Sequence, residues 1–199
     1  IVEQHVHNID VANWVKGGYP VEIQGTGGRE VRDGKKYGEI FDHHMLDLVY
    51  ADGTTISSQC RHYEGTYSRV DEAFVGTKGR IDSFSNKSTV LKDYKGGVIY
   101  AHDSKGDINP YQVEHDELFE AVAKGEYKFA DAERTAKSTM TAIMGRMATY
   151  SGKLVKWDEA LNSDMNLFPD KLAWDAMPKV LPDENGLYPV AVPGKTRVI

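Results

Sequence analysis

The stretch from Pro20 to His102 alternates short β-strand patterns with turn signals and shows no helical periodicity, which constrains the fold more than any other feature. One strand is predicted by "PVEIQGTGG", and a long hairpin that turns at Asp52-Gly53 by "YGEIFDHHMLDLVYADGTTISSQCRHYEG". A further strand pair is predicted by "EAFVGTKGRIDSF" and one more strand by "GGVIYAH". Strands that follow one another without crossover helices form antiparallel sheets.

Helical patterns flank this region on both sides. Apolar spacing predicts a short helix from Val6 to Lys16, ended by Gly17. After Pro110, helices are predicted by "EHDELFEAVAKGE", by "DAERTAKSTMTAIMGRMATYSGK" and by "WDEALNS". The second of these carries a core-facing stripe formed by Met140, Ile143, Met144 and Met147. The predicted fold class is α+β, with an open, mainly antiparallel sheet and helices packed on one face.

The length of 199 residues suits one domain. We expect residues 1–168 to form the α+β domain. We expect residues 169–199, which contain five prolines, to form an extended tail packed on the same domain. Because Ile1 already belongs to an apolar run and no initiator Met precedes it, the chain looks like part of a longer protein.

Composition argues against several function classes. Lys and Arg total 24 against 30 Asp and Glu, and both signs are scattered, so we expect no nucleic-acid partner. No run of about 18 apolar residues is present, so we expect no membrane span, and there is no signal peptide pattern. The single cysteine, Cys60, excludes an intrachain disulfide and any metal site built from cysteines.

The opening stretch "IVEQHVHNID" admits two kinds of site. If a helix begins near Glu3, then Glu3, His7 and Asp10 follow one face at intervals of about one turn, an arrangement that suits proton transfer. The alternative is a metal site in which His5 and His7 form an H-x-H pair, with further ligands from Asp10, His43, His44 or His62. A helix turns residues i and i+2 about 200° apart, which favours the first interpretation.

Two further stretches have both a functional and a structural interpretation. The glycines of "GTGGRE" suit a phosphate loop, but no helix follows them, so a close approach of the backbone is the better explanation. In "CRHYEGTY", the residues Arg61, His62 and Tyr63 lie where a strand ends, which is a usual position for substrate contacts. An ordinary polar strand end is the alternative.

The segment "EQHVHNIDVANW" resembles the motif that opens the C-terminal domain of the glucose-fructose oxidoreductase, inositol dehydrogenase and rhizopine-catabolism family (Gfo/Idh/MocA). That motif is an acidic residue, three residues, His, two residues and Asp. The resemblance covers approximately residues 1–168 in the right order. It continues through "GTGGRE", "YGEIFDHH", "YADGTTISSQCRHYEG", "VGTKGRID", "EHDELFEAV", "TAIMGRMATYSGK" and "WDEAL".

The resemblance implies that this chain is the second domain of a two-domain enzyme. Family members have an N-terminal Rossmann domain that binds NAD or NADP, and then a domain of the glyceraldehyde-3-phosphate-dehydrogenase-like C-terminal type. The full-length protein is therefore expected to be an NAD(P)-dependent oxidoreductase acting on a sugar, a cyclitol or a related polyol. The cofactor would be bound mainly by the Rossmann domain, which is absent from this chain. The isolated domain is expected to be inactive and to form a homo-oligomer through its sheet.

The resemblance also implies roles for individual residues. His7 matches the acid/base histidine of the family, and Glu3 stands where the family most often has Asp. Asp10 matches the acidic residue one turn after that histidine. Asp10 and, from their position at the strand end, Arg61, His62 and Tyr63 are the expected substrate-binding residues, and no metal is expected. Localisation stays open between the cytoplasm and, if a twin-arginine signal precedes the chain, the periplasm. The rival hypotheses are an H-x-H metal-dependent hydrolase and a non-catalytic sugar-binding or assembly domain.

Overall fold

The computed structural model describes residues 1–84 and 88–199, and within them the chain forms two antiparallel sheets and four α-helices. The helices are α1 (Val6–Lys16), α2 (Pro110–Lys124), α3 (Ala132–Ser151) and α4 (Trp157–Leu161). The strands are β1 (Glu22–Gly28), β2 (His43–Val49), β3 (Thr55–Arg61), β4 (Asp71–Val75), β5 (Gly79–Phe84), β6 (Ser88–Asp93), β7 (Val98–Asp103) and β8 (Val155–Lys156). The predicted α+β class is confirmed.

The chain folds into two compact units. The first comprises residues 1–66 and 135–199, and the second comprises residues 67–134. Each unit contains one four-stranded antiparallel sheet, with strand order β3-β2-β1-β8 in the first and β4-β5-β6-β7 in the second. The predicted antiparallel strands are therefore divided between two sheets.

The first sheet buries one face, as the alternation of its side chains requires. Leu46 and Leu48 on β2 are buried, while Met45 between them is 48% exposed. The predicted methionine stripe of α3 packs against the same core. Burial of each large aliphatic side chain contributes about 1.5–3 kcal/mol. The core of this unit includes Ile23, Phe41, Leu46, Leu48, Tyr50, Met144, Met147, Ala148, Tyr150 and Val155.

Glycines let β1 and α3 approach β2 closely. A Cβ atom at Gly25 would lie 2.5 Å from the backbone oxygen of Met45, and one at Gly145 would lie 2.5 Å from Leu46 Cδ1. A Cβ atom at Gly27 would lie 2.7 Å from the backbone oxygen of His43. The close-approach interpretation of "GTGGRE" is thus confirmed for its strand glycines.

The second unit leaves much apolar surface uncovered. Its strand β7 is exposed along its whole length, and Val98, Ile99 and Tyr100 are each more than half exposed. Helix α2 begins at Pro110, earlier than the amphipathic pattern indicated, because Asn109 caps it by accepting a hydrogen bond from the Tyr111 backbone N–H. The apolar residues expected on one side of this helix, Leu118, Phe119 and Val122, are 46–68% exposed.

After α4 the described chain contains no further helix or strand. The end of this tail packs on the first unit, where Val190, Ala191 and Ile199 contact the core and Val198 is buried. Gly194 anchors it further, because its N–H donates to the Ser151 carbonyl at 2.7 Å. None of the helices formed by residues 1–84 and 88–199 is long and apolar enough to cross a membrane.

Candidate functional site

His7 lies in the first turn of α1 with its side chain exposed. The helix begins at Val6, so the first helical hydrogen bond runs from the Ile9 N–H to the His5 carbonyl at 3.2 Å. Among the described residues, the His7 imidazole has no hydrogen-bond partner, which leaves both ring nitrogens available to a ligand.

The proton-transfer interpretation assumed that the helix begins near Glu3, but Glu3 lies outside the helix. It lies in the turn before α1, is exposed, and accepts a hydrogen bond from Gln4 Nε2 at 3.3 Å. That turn ends at His5, whose ring Nε2 is 2.6 Å from Ser58 Oγ on β3. This contact fixes the start of the helix against the sheet.

Asp10 faces α3 from the second turn of α1. Its Oδ1 accepts a hydrogen bond from Ser138 Oγ at 2.6 Å. Ser138 is buried and also lies 3.3 Å from Asn13 Nδ2, which donates to Thr141 Oγ1 as well. A buried polar network therefore joins α1, the helix that carries His7, to α3.

Arg61, His62 and Tyr63 follow one another where β3 ends, and the structure gives them different surroundings. Arg61 and His62 are exposed, and His62 Nδ1 lies 3.1 Å from Arg32 Nη2. The Tyr63 hydroxyl donates to Glu30 Oε2 at 3.0 Å. Burial, and then this hydrogen bond to Glu30, raise the pKa of Tyr63 to about 12, so that it stays a hydrogen-bond donor.

A buried carboxylate, that of Asp42, organises this strand end. Its Oδ2 accepts hydrogen bonds from three successive backbone N–H groups, those of Glu30, Val31 and Arg32, at 2.7–3.0 Å. Its backbone carbonyl accepts the N–H of His62 at 2.9 Å. Burial alone would raise the pKa of Asp42, but the hydrogen bonds from His43 and from the three N–H groups outweigh it and lower the pKa to about 2. Asp42 thus joins the loop before it to the residues proposed to contact substrate.

The two adjacent histidines of β2 face opposite sides of the sheet, as strand geometry requires. His44 is buried, and its Nδ1 lies 2.9 Å from Thr149 Oγ1 on α3. His43 points the other way, where its Nδ1 lies 2.8 Å from Asp42 Oδ1 and its ring meets that of Tyr63 edge to face. Only His43 is therefore placed on the side of Asp42 and Tyr63.

The H-x-H pair does not converge in the structure. His5 is half-buried with its ring against Ser58, and burial lowers its pKa to about 4, whereas His7 is exposed. In the part of the chain that the structure describes, no group of three or more His, Cys, Asp or Glu side chains is placed to hold a metal ion.

Arg29, in "GTGGRE", is committed to its own loop. Its guanidinium donates to the carbonyl oxygens of Arg32, Gly34 and Gly38. These contacts close the loop that precedes β2, so this arginine stabilises the loop.

Sequence reasoning did not single out Asp42 and His43 as a pair. The only local signal was an acidic residue directly before two histidines at a predicted strand start, in "FDHH". The three N–H donors to Asp42 come from residues 10–12 positions earlier, and that contact depends on how the loop folds back.

Comparison with known proteins supports the fold. No protein-family model matches the chain, and no curated protein matches it. Solved structures do match. The aldose-aldose oxidoreductase from Caulobacter crescentus, complexed with glycerol, aligns with a TM-score of 0.58 at 18% identity, covering 76% of this chain and 45% of that one.

Two dehydrogenases are similar to the same extent. The UDP-N-acetylglucosamine 3-dehydrogenase from Acidithiobacillus ferrooxidans aligns with a TM-score of 0.59 at 14% identity, over 73% of this chain and 45% of that one. The scyllo-inositol dehydrogenase from Lactobacillus casei, with bound NAD(H) and scyllo-inositol, aligns with a TM-score of 0.58 at 14% identity, over 77% and 46%. The chain spans less than half the length of these oxidoreductases and shares the fold of that portion, the fold that the Gfo/Idh/MocA resemblance implied.

Proposed function

We propose that this chain is the C-terminal substrate and oligomerisation domain of an NAD(P)-dependent oxidoreductase that acts on a sugar, a cyclitol or a related polyol. The observation that carries the proposal is the exposed His7 on a helix that a buried polar network fixes, within a fold shared with oxidoreductases of such substrates. In this proposal residues 1–168 form the substrate-binding and oligomerisation domain, and residues 169–199 form a tail packed on it.

His7 is the proposed acid/base residue. A neutral imidazole accepts a proton from a substrate hydroxyl near neutral pH, and its unbonded ring nitrogens leave it free to do so. Glu3 is exposed in the preceding turn and is proposed to assist. The nicotinamide of NAD or NADP, when bound, supplies the redox chemistry by exchanging a hydride, and its binding residues lie mainly outside this chain.

Asp10, Arg61, His62 and Tyr63 are the proposed substrate-binding residues. A polyol offers hydroxyl groups that both donate and accept hydrogen bonds. Carboxylate and imidazole groups accept from such hydroxyls, while the Arg61 guanidinium and the Tyr63 hydroxyl donate to them. Ser138 supports Asp10 through a hydrogen bond, and His43, which contacts Asp42, supports Tyr63.

Full-length protein and nicotinamide cofactor are needed for the direct test. The expected result is reduction of NAD or NADP by the full-length protein, followed by absorbance at 340 nm, with at least one sugar or cyclitol, and no turnover by these 199 residues alone. Turnover by the isolated chain contradicts the proposed division of labour. A full-length protein that hydrolyses substrate only when loaded with metal supports the rival hydrolase, and one that binds sugar without any turnover supports the non-catalytic alternative.

A further inference from the structure

The polar network between α1 and α3 can form with only one set of donors and acceptors. Within α3 the Thr141 hydroxyl gives its single hydrogen to the Lys137 carbonyl at 2.9 Å, so it can only accept from Asn13. The Asn13 nitrogen Nδ2, which lies 3.2 Å from Thr141 Oγ1, must therefore face α3. Asn13 Oδ1 faces the Tyr50 hydroxyl, which donates to it at 2.8 Å. The orientation of the Asn13 amide is thus determined by its buried partners.

Ser138 connects this network to Asp10. Asn13 Nδ2 lies 3.3 Å from Ser138 Oγ and donates to it, because an amide nitrogen cannot accept a hydrogen bond. Ser138 in turn donates its own hydrogen to Asp10 Oδ1 at 2.6 Å. A hydrogen bond to a carboxylate is shorter and roughly twice as strong as one between neutral groups. The Ser138 hydroxyl therefore restricts the orientation of the Asp10 carboxylate relative to α3.

Asp10 lies between this network and the helix surface that carries His7. The two residues are three positions apart on α1, which places their Cβ atoms about 5–6 Å from each other. His7 is exposed and Asp10 is half-buried, so the Asp10 side chain borders on both the interior and the surface. A carboxylate can adopt several staggered rotamers, whereas a bound hydroxyl group requires one of them. Ser138 restricts this choice before any ligand binds.

We propose that Ser138 is a positioning residue for substrate binding, which orients the Asp10 carboxylate to accept a hydrogen bond from a hydroxyl group of the polyol. The proposal rests on the proposed function, which supplies the substrate class and the binding role of Asp10. Ser138 is 3% exposed, so its side chain acts from the interior and does not itself contact the polyol. Any effect of Ser138 on the affinity for the polyol therefore passes through Asp10.

Thr141 offers a matched control for Ser138. Both residues lie on α3, both are buried, and both accept a hydrogen bond from Asn13 Nδ2. They differ in the group to which they donate, which is the Asp10 carboxylate for Ser138 and the Lys137 carbonyl for Thr141. Ser138→Ala and Thr141→Val each remove one hydroxyl with little change in volume. A purely structural role predicts the same effects in both variants, whereas the proposal predicts that only Ser138→Ala weakens polyol binding.

Steady-state kinetics of the full-length protein, with NAD or NADP and with myo-inositol or D-glucose as the polyol, test the proposal. We expect Ser138→Ala to raise KM for the polyol about tenfold, the equivalent of one hydrogen bond, with a smaller change in kcat, and Thr141→Val to keep the wild-type KM. Asp10→Asn should also raise KM, and adding Ser138→Ala to it should raise KM no further, because Ser138 acts through the carboxylate. Ser138→Cys, with a weak thiol donor, gives the same comparison if Ser138→Ala does not fold.

The outcomes separate this inference from the proposed function. An equal rise of KM in Thr141→Val, or KM effects of Asp10→Asn and Ser138→Ala that multiply in the double variant, overturn the inference. An unchanged KM in Ser138→Ala, when Asp10→Asn raises it, does the same. In each of these cases the proposed function stands. Absence of turnover of both polyols by the wild-type protein contradicts the proposed function, and the role of Ser138 in substrate binding fails with it.

Discussion

The hydroxyl of Tyr50, the residue directly after β2, donates a hydrogen bond to Asn13 Oδ1 on α1 at 2.8 Å, and this contact joins the helix that carries His7 to the end of that strand. Tyr50 and Asn13 are both buried, and burial raises the pKa of Tyr50 to about 12. The amide of Asn13 continues the network to Ser138 and Thr141 on α3. The Asn13 side chain thereby connects α1 both to Tyr50 and to α3.

Removing the Tyr50 hydroxyl should destabilise the protein without changing its fold. Tyr50→Phe leaves the buried Asn13 oxygen without its donor, so we expect the free energy of unfolding to fall by about 1–3 kcal/mol. Urea denaturation measures it. Tyr127→Phe, on a fully exposed ring, is the matched control. A Tyr50→Phe variant as stable as wild type contradicts the role assigned to this contact.

Glycine is required at position 25 because β2 lies too close for a side chain. In Gly25→Ala the new Cβ would lie 2.5 Å from a backbone oxygen, which can move only with its strand. We expect a loss of about 1–3 kcal/mol in stability, measured by thermal or urea denaturation. In Gly18→Ala, where no atom lies within 4 Å of the added Cβ, the same substitution should cost much less. Equal losses in the two variants contradict the close-approach argument.

The buried His44 and the half-buried His5 should make the fold sensitive to mild acid. Burial lowers the pKa of His44 to about 3 and that of His5 to about 4, against 6.5 in the unfolded chain. Between these values the unfolded chain binds protons that the folded chain does not, so the stability present above pH 6.5 is lost as the pH falls toward 3.

Denaturation measured from pH 7 to pH 4 tests this dependence. His44→Asn keeps a donor for Thr149 and removes the titrating ring, so its stability should vary less steeply with pH than that of wild type. His115→Asn removes an exposed imidazole as a control and should keep the wild-type slope. A His44→Asn variant with an unchanged slope shows that other groups cause the acid sensitivity.

Oligomerisation is proposed to use the second sheet. Edge strand β7 presents Ile99 and Tyr100, each more than half exposed, and an uncovered apolar edge strand favours pairing with another copy. Light scattering should give a mass above that of one chain for wild type and the monomer mass for Ile99→Asp. Leu154→Asp, at a 47% exposed position of the first unit, should leave the mass unchanged. A wild-type monomer at high concentration contradicts the proposal.

Much of the fold could be predicted because its signals are local. The hairpin turn at Asp52-Gly53 was predicted from its sequence, and Gly53 has the positive φ of 79° that such a turn needs. The bounds of α1 were predicted from apolar spacing and the glycine that ends it. By contrast, β6 was missed because "STVLKD" shows no alternation of apolar and polar residues, and β8 because it has only two residues.

Residues of the candidate site could be predicted only where a local motif or the position in a single helix or strand identified them. His7 and the strand end at Arg61 were found from motif and position. The hydrogen bonds to Asp42 were not predicted, because they form only when a loop folds back and directs three backbone N–H groups at this carboxylate. The contact of His5 with Ser58, which lies 53 residues away, likewise could not be predicted from the motif.

The central claim is that His7 takes part in proton transfer during hydride exchange with a nicotinamide cofactor. In the full-length protein, His7→Gln should lower kcat for polyol oxidation by about 10²–10⁴-fold and leave the unfolding transition unchanged, because the side chain is exposed. The control His115→Gln should keep wild-type kcat. Steady-state NAD(P)H formation at saturating polyol measures both. A His7→Gln variant whose kcat equals that of wild type contradicts the claim.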